Sequence, residues 1–448
     1  MLGGEIMNSN TSFLERTFSL SERKTDAKTE FLAGLTTFMT MSYILAVNPN
    51  MLAEAGMDRG GVFTGTILAS IIAMLFMGFF ANLPFGLSAG MGLNAFFTYT
   101  VVLTMGHPWS YALTAVFLEG IIFIILSFFR VREIIFLAIP SSLKNAVSVG
   151  IGLFITLIGL TTSGLVVANE ATFLTLGNLI SRPSAVAIFS LLLMAILTAK
   201  NVKGALLYGI LAGTVLALIL GVTTLPETGA IFSLPPSISE VAFKLHWKNI
   251  FTLDMFSVMF TFLFVDLFDT VGTLTGVATK ADLIEDDGNL PGVGRALLAD
   301  AIGTVSGALL GTSTITTFVE SASGVAEGGR TGLTALSCAF FFFVSLFLFP
   351  LFSIIPAQAT AAALIMVGLF MITPITKIKL DDFTESVPAF LTMVTMPFAY
   401  SIAEGISVGM ITYVILKVCT GKHKEVSAVM YVLALIFALR YLRPILPF

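Results

Sequence analysis

Apolar runs of span length recur from residue 29 to the end of the chain, broken by short polar or Pro/Gly joints. A hydrocarbon core about 30 Å thick takes roughly 20 apolar helical residues to cross, so each run predicts a spanning segment. The first seven fall at 29–50, 61–82, 89–105, 109–129, 141–161, 183–199 and 203–222. Seven more follow at 252–276, 294–311, 314–329, 332–353, 356–375, 387–400 and 403–419. A last apolar stretch, 426–441, is bounded by Lys424 and Glu425 before it and by Arg440 and Arg443 at its end, and predicts a helix lying on the membrane surface.

Composition agrees with this pattern. Of 448 residues 56% are hydrophobic and 11% charged, against roughly a quarter charged in a soluble domain. With the amino terminus inside and fourteen alternating segments, only Arg59, Arg182, Lys244 and Lys248 of the 23 basic residues fall outside, as the positive-inside rule demands. Both termini are then cytoplasmic and the chain is a multi-pass protein of the cell membrane. Cys338 and Cys419 lie in apolar stretches and read as packing residues, and His107, His246 and His423 are scattered. No metal site, cofactor or nucleic-acid partner is indicated.

Seven plus seven implies a duplication. Ile139-Pro140 is followed, twelve residues after the Pro, by Gly152-Leu153-Phe154, and Ile355-Pro356 by Gly368-Leu369-Phe370 at the same spacing. An odd number of spans between the copies makes them enter from opposite faces, which is an inverted repeat. The predicted organisation is all-α. It has a cytoplasmic tail 1–27, a first seven-segment repeat 28–222, an extracellular linker 223–251, a second, inverted repeat 252–421 and the C-terminal segment 422–448.

Segments 3 and 10 do not read as plain helices. Leu83 to Phe97 carries Pro84, Gly86, Gly90 and Gly92, and Gly311 to Val325 is Thr-rich before Glu320-Ser321. Gly costs about 1 kcal/mol and Pro about 3 against Ala in a helix, so each predicts a short extended piece followed by a half helix, the first beginning near Asn94. Non-helical backbone at membrane depth survives only against protein or a water-filled cavity, so paired broken segments point to a central binding site. Either stretch also reads, less well, as a re-entrant loop or a tight helix contact.

Asp266 and Asp269 interrupt segment 8 three residues apart, on what spacing makes one helix face. An ionised Asp at mid-bilayer costs about 2.5–3.5 kcal/mol and must face protein or water. Asp266 therefore predicts a substrate and proton site; Asp269, beside Thr270 and Thr273, serves equally as a structural hydrogen-bonding group. Glu119, Asp300, Glu404 and Thr317 read as supporting groups, and Phe96, Phe262 or Phe318 as a stacking face.

The stretches Ser88 to Phe97, Val265 to Thr273 and Thr316 to Gly332 resemble the nucleobase-ascorbate transporter superfamily, and within it the AzgA-like branch of hypoxanthine, adenine and guanine permeases. The likeness runs from about Phe31 to Gly421. It implies a core domain and a gate domain, a homodimer through the gate, and proton symport of a purine bound between the two domains. It assigns base contact to Asp266, Glu320 and Asn94, with Ser321 at a branch-specific position, and proton coupling to Asp266 and Glu320. Rival readings are an anion transporter or uncoupled channel of the same plan, which acids in the site disfavour, and a membrane-embedded enzyme, for which no nucleophile–base constellation is present.

Overall fold

The computed structural model describes residues 13–128, 138–225, 231–248, 250–280, 283 and 292–442. The first twelve residues of the expected tail, parts of the 223–251 linker and residues 443–448 lie outside the described residues.

Short polar residues start many of the helices, as N-caps that satisfy orphaned amides. Asp26 caps α1 (Ala27–Met41), which a turn at Ser42–Tyr43 joins to α2 (Ile44–Glu54). Asp58 caps α3 (Arg59–Phe76), with Oδ2 2.6 Å from the Gly61 amide. The chain then runs through β1 (Leu87–Ala89) and α4 (Met91–Ala95), which continues into π-helical turns at Phe96–Thr104. Next come α5 (Trp109–Phe128) and α6 (Ser141–Thr162). A hairpin of β2 (Val166–Asn169) and β3 (Phe173–Leu176) precedes α7 (Arg182–Ala199) and α8 (Ala205–Ile219).

The second half begins with α9 (Leu253–Lys280) and α10 (Val293–Leu310). Gly311, at φ 83°, ends α10 in the left-handed conformation that glycine adopts without penalty. Then follow β4 (Ile315–Thr317), α11 (Ser321–Ala326), α12 (Gly332–Ser345), α13 (Ala357–Ile372), α14 (Phe383–Phe398), α15 (Ile402–Cys419) and α16 (Ala428–Leu442). Among the described residues ten helices are long and apolar enough to cross a membrane. The protein is thus mostly helical and not strictly all-α. Thr-rich and Gly-rich pieces that cannot hold a helix form short strands, and the β2–β3 hairpin was not anticipated.

The helices pack in two groups, each drawing on both halves of the chain. In the first, α12 lies on α1 and α3, α10 on α3 and α5, and α9 on α5. In the second, α6 lies on α13 and α14, α7 on α8 and α13, and α14 on α15. Side chains on the outer faces of α7 and α8 are apolar and exposed, among them Phe189, Leu192, Ile196, Leu211, Val215 and Ile219, the composition that suits acyl chains. Met430, Leu433 and Phe437 seat α16 inward, against α15 and, through Phe437, on Phe260 of α9.

The echoed glycines meet. A Cβ on Gly152 would lie 2.7 Å from the Gly368 carbonyl oxygen, and one on Gly368 would lie 2.5 Å from the Gly152 oxygen. Matching positions that touch each other reciprocally are what a two-fold relation between halves produces. One sequence expectation needs correction. Cys419 is exposed rather than packed, because it ends α15; Cys338 is buried. His107 is half-exposed, with its Nε2 2.6 Å from Asp254 Oδ2.

The Gly152–Gly368 contact has no room for a side chain. Replacing Gly368 with Leu is expected to lower the melting temperature of the detergent-purified protein sharply, overpacking of this kind costing about 1–3 kcal/mol or more. An unchanged melting curve would show that α6 and α13 do not cross there.

Candidate transport site

The two interrupted segments pair with each other. β1 and β4 form an antiparallel ribbon in the register Leu87↔Thr317, Ser88↔Thr316 and Ala89↔Ile315. The Gly90 amide donates to the Thr314 carbonyl at 3.0 Å and the Phe318 amide to the Gly86 carbonyl at 3.0 Å, extending the ladder at both ends. Gly90 must lack a side chain, because a Cβ there would sit 2.6 Å from Thr316 Cγ2. The first half helix opens at Met91, three residues before Asn94, since Gly90 is extended and can serve as its N-cap.

Buried carboxyls hold this ribbon from behind. Asp300 Oδ1 accepts from the Thr317 amide at 3.1 Å, and Thr314 Oγ1 donates to Glu119 Oε2 at 3.3 Å. Thr304 Oγ1 donates to the Ile315 carbonyl at 3.1 Å. Thr270 Oγ1 lies 3.1 Å from Asp266 Oδ1, 3.1 Å from both oxygens of Asp300 and 2.8 Å from Thr316 Oγ1. Asp266, Asp300 and Glu119 are each fully buried.

A cavity of ≈ 70 Å³ lies beside the ribbon. Tyr43, Asp269, Thr317, Phe318 and Glu320 line it from the first group of helices, and Val367 and Met371 of α13 from the second. Glu320 is the N-cap residue of α11, and its Oε1 accepts from the Tyr43 hydroxyl at 2.8 Å. Asp269 and Glu320 are both partly accessible. Thr317 Oγ1 is buried without a hydrogen-bond partner, a polar atom that a ligand in the cavity can satisfy.

Of the residues singled out from the sequence, the structure brings Glu320, Phe318, Thr317 and Asp269 to one cavity. It does not bring Asp266, Asn94 or Ser321 there. Three residues turn a helix by about 300°, so Asp266 and Asp269 project about 60° apart. That angle is enough to turn Asp266 into the Thr270–Asp300 cluster while Asp269 faces the cavity. Asn94 accepts from the Ser313 hydroxyl and ties α4 to the chain ahead of β4. Ser321 Oγ accepts from the Gly86 amide at 3.0 Å, pinning α11 to the start of β1. Glu404 stands apart, bonded to the Tyr441 hydroxyl. Tyr43 is a polar cavity residue that sequence reasoning missed: as one of three aromatics in the apolar first segment, with Phe31 and Phe38, it carries no signal.

Comparison with known proteins places this geometry. The transmembrane domain of a cyanobacterial bicarbonate transporter, BicA, aligns at a TM-score of 0.63 with 17% identity, over 84% of this chain and 97% of that one. Murine Slc26a9, an anion transporter in an inward-facing state, aligns at 0.62 with 12% identity, over 94% of this chain and 74% of that one. Those likenesses are of fold. In sequence, a putative permease of Methanocaldococcus jannaschii is 50% identical over 429 residues, 96% of this chain and 98% of its own. Adenine permease AdeP of Escherichia coli is 43% identical over 96% of both chains. Guanine/hypoxanthine permease PbuG of Bacillus subtilis is 45% identical over 95% of this chain and 98% of its own. Residues 28–408 match the Permease family. The chain belongs to the nucleobase-ascorbate transporter family of permeases, and is a multi-pass membrane transporter rather than an enzyme.

Proposed function

We propose that this permease imports purine nucleobases by proton symport across the cell membrane. The observation that carries the reading is the pair of accessible carboxyls, Asp269 and Glu320, facing one cavity between two groups of helices. The names of AdeP and PbuG, one an adenine and the other a guanine/hypoxanthine permease, support a purine cargo. A carboxylate accepts only, and it suits adjacent N–H donors such as N1–H and the 2-amino group of guanine. Glu320 takes that edge, Phe318 flanks the ring, and Thr317 Oγ1 gains a partner.

The cavity is small beside the roughly 300–1,000 Å³ of sites for drug-sized ligands, so its walls part to admit a base. The first group of helices is then the core and the second the gate, and the core moves past the gate as an elevator. Fourteen segments, with both termini cytoplasmic, follow if the ten long helices are joined by Met91–Thr104, Ser321–Ala326, Ala205–Ile219 and Phe383–Phe398. A homodimer formed through the gate completes the arrangement.

Asp269 takes the proton that accompanies the base. An ionised acid at mid-membrane costs about 2.5–3.5 kcal/mol, and neutralising it lets the loaded core move. Behind it, Thr270 joins Asp266, Asp300 and Thr316 in one hydrogen-bonded cluster. Asp266 thus contributes from one turn away rather than by touching the base. The BicA and Slc26a9 likeness raises anion transport as a second reading, but two carboxyls facing the cavity repel anionic cargo.

Two measurements in proteoliposomes test this. Asp269→Asn is expected to abolish accumulation driven by an inward proton gradient while exchange of labelled for unlabelled base persists; accumulation that still rises with the gradient would remove Asp269 from the coupling. Excess guanine, hypoxanthine or adenine is expected to suppress tracer purine uptake, and sulfate or bicarbonate to leave it unchanged. The opposite pattern would favour the anion reading.

A further inference from the structure

The first span is interrupted where it passes the cavity. α1 stops at Met41 and α2 starts at Ile44, and the joint is a tight turn in which the Leu45 amide donates to the Ser42 carbonyl at 3.1 Å and the Ala46 amide to the Tyr43 carbonyl at 3.0 Å. Tyr43 sits in that turn with 1% of its surface exposed, yet its hydroxyl reaches Glu320 Oε1 at 2.8 Å. Its ring lies 6.4 Å from that of Phe318, tilted by 46°, so the two rings form one continuous aromatic wall rather than a slot.

The backbone around Glu320 is held by the same span. Thr40 Oγ1 lies 3.4 Å from the Glu320 carbonyl, and Gly324 packs so closely on α1 that a Cβ would meet the Ala33 oxygen at 2.6 Å. α1 thus fixes where α11 begins. It does not fix where the Glu320 carboxyl points, because three side-chain torsions separate that group from the backbone. A rigid tyrosine, anchored by its packed ring, can set that direction.

We propose that Tyr43 is a positioning residue for substrate recognition: by donating to Oε1 it locks the Glu320 carboxyl in one orientation and leaves the remaining lone pairs directed at the cavity. A carboxylate has about four acceptor sites, so one hydrogen bond from Tyr43 leaves enough for two N–H donors of a base. The orientation is settled before the base arrives, and the base is spared the entropy of ordering a long side chain. Tyr43 acts through Glu320, whereas a purely structural tyrosine would support every ligand alike.

The proposal rests on the reading that Glu320 takes the N1–H edge of a purine, and the test separates the two. Transport of guanine and of 1-methylguanine, which lacks the N1–H donor, is measured in proteoliposomes for the full-length protein and for Tyr43→Phe, which keeps the ring and removes the hydroxyl. In the unaltered protein guanine is expected to half-saturate at lower concentration than 1-methylguanine; equal values would defeat the N1–H reading itself. In Tyr43→Phe the guanine half-saturation is expected to rise about tenfold, the range for losing a hydrogen bond to a charged group, with the maximal rate within about twofold and the 1-methylguanine value, for a base that keeps only the 2-amino donor, rising by less. A guanine value that stays within about twofold, or equal weakening of both bases, would overturn the positioning role. Should Tyr43→Phe not yield folded protein, Tyr43→Leu, which also lacks the hydroxyl and leaves Glu320 intact, takes its place. It is expected to produce the same selective loss for guanine, and an equal effect on both bases would again overturn the proposal.

Discussion

Extended backbone at membrane depth must find partners for its amides and carbonyls in the protein or in a water-filled cavity. Here the two pieces that cannot be helical satisfy each other, as the β1–β4 ribbon. Much of the site's geometry follows from that pairing. The ribbon sets where α4 and α11 start, and carboxyls from α5 and α10 bond it from the far side through Glu119 and Asp300. Tightly packed glycines let the chains approach: Gly90 against Thr316, and Gly86 against Met41 and Thr37 of α1.

The ribbon also explains why acids can be kept in an apolar layer. Asp300 and Asp266 are buried but meet amide and hydroxyl donors, so their desolvation is partly offset by hydrogen bonds. Asp269 and Glu320 are the two that remain partly accessible, and they flank the same cavity. The cyanobacterial bicarbonate transporter and the murine anion transporter share the architecture at 12–17% identity. Sharing the fold therefore does not by itself fix the cargo.

The mostly helical, membrane-spanning character was legible in the sequence because hydrophobic length reports directly on a helix that can cross a bilayer. The 139–154 and 355–370 echo was legible as well, and its glycines turn out to touch. What could not be read was the direction of individual side chains. Spacing puts Asp266 and Asp269 on one face, but about 60° of rotation decides which of them meets the cavity, and only packing sets that rotation. An asparagine in a broken segment looks the same whether its amide meets a ligand or, as Asn94 does, a neighbouring serine. Tyr43 was invisible because its partner lies 277 residues away.

The central claim is that a purine sits between the ribbon and α13, with its N–H edge on Glu320. The most direct measurement is a cryo-electron-microscopy structure of the protein with guanine bound. The account predicts planar density against Phe318, with Glu320 and Asp269 both within hydrogen-bonding reach and Asp266 behind them in its Thr270 cluster. Density elsewhere, with the 43–320 cavity unchanged from the unliganded form, would contradict it.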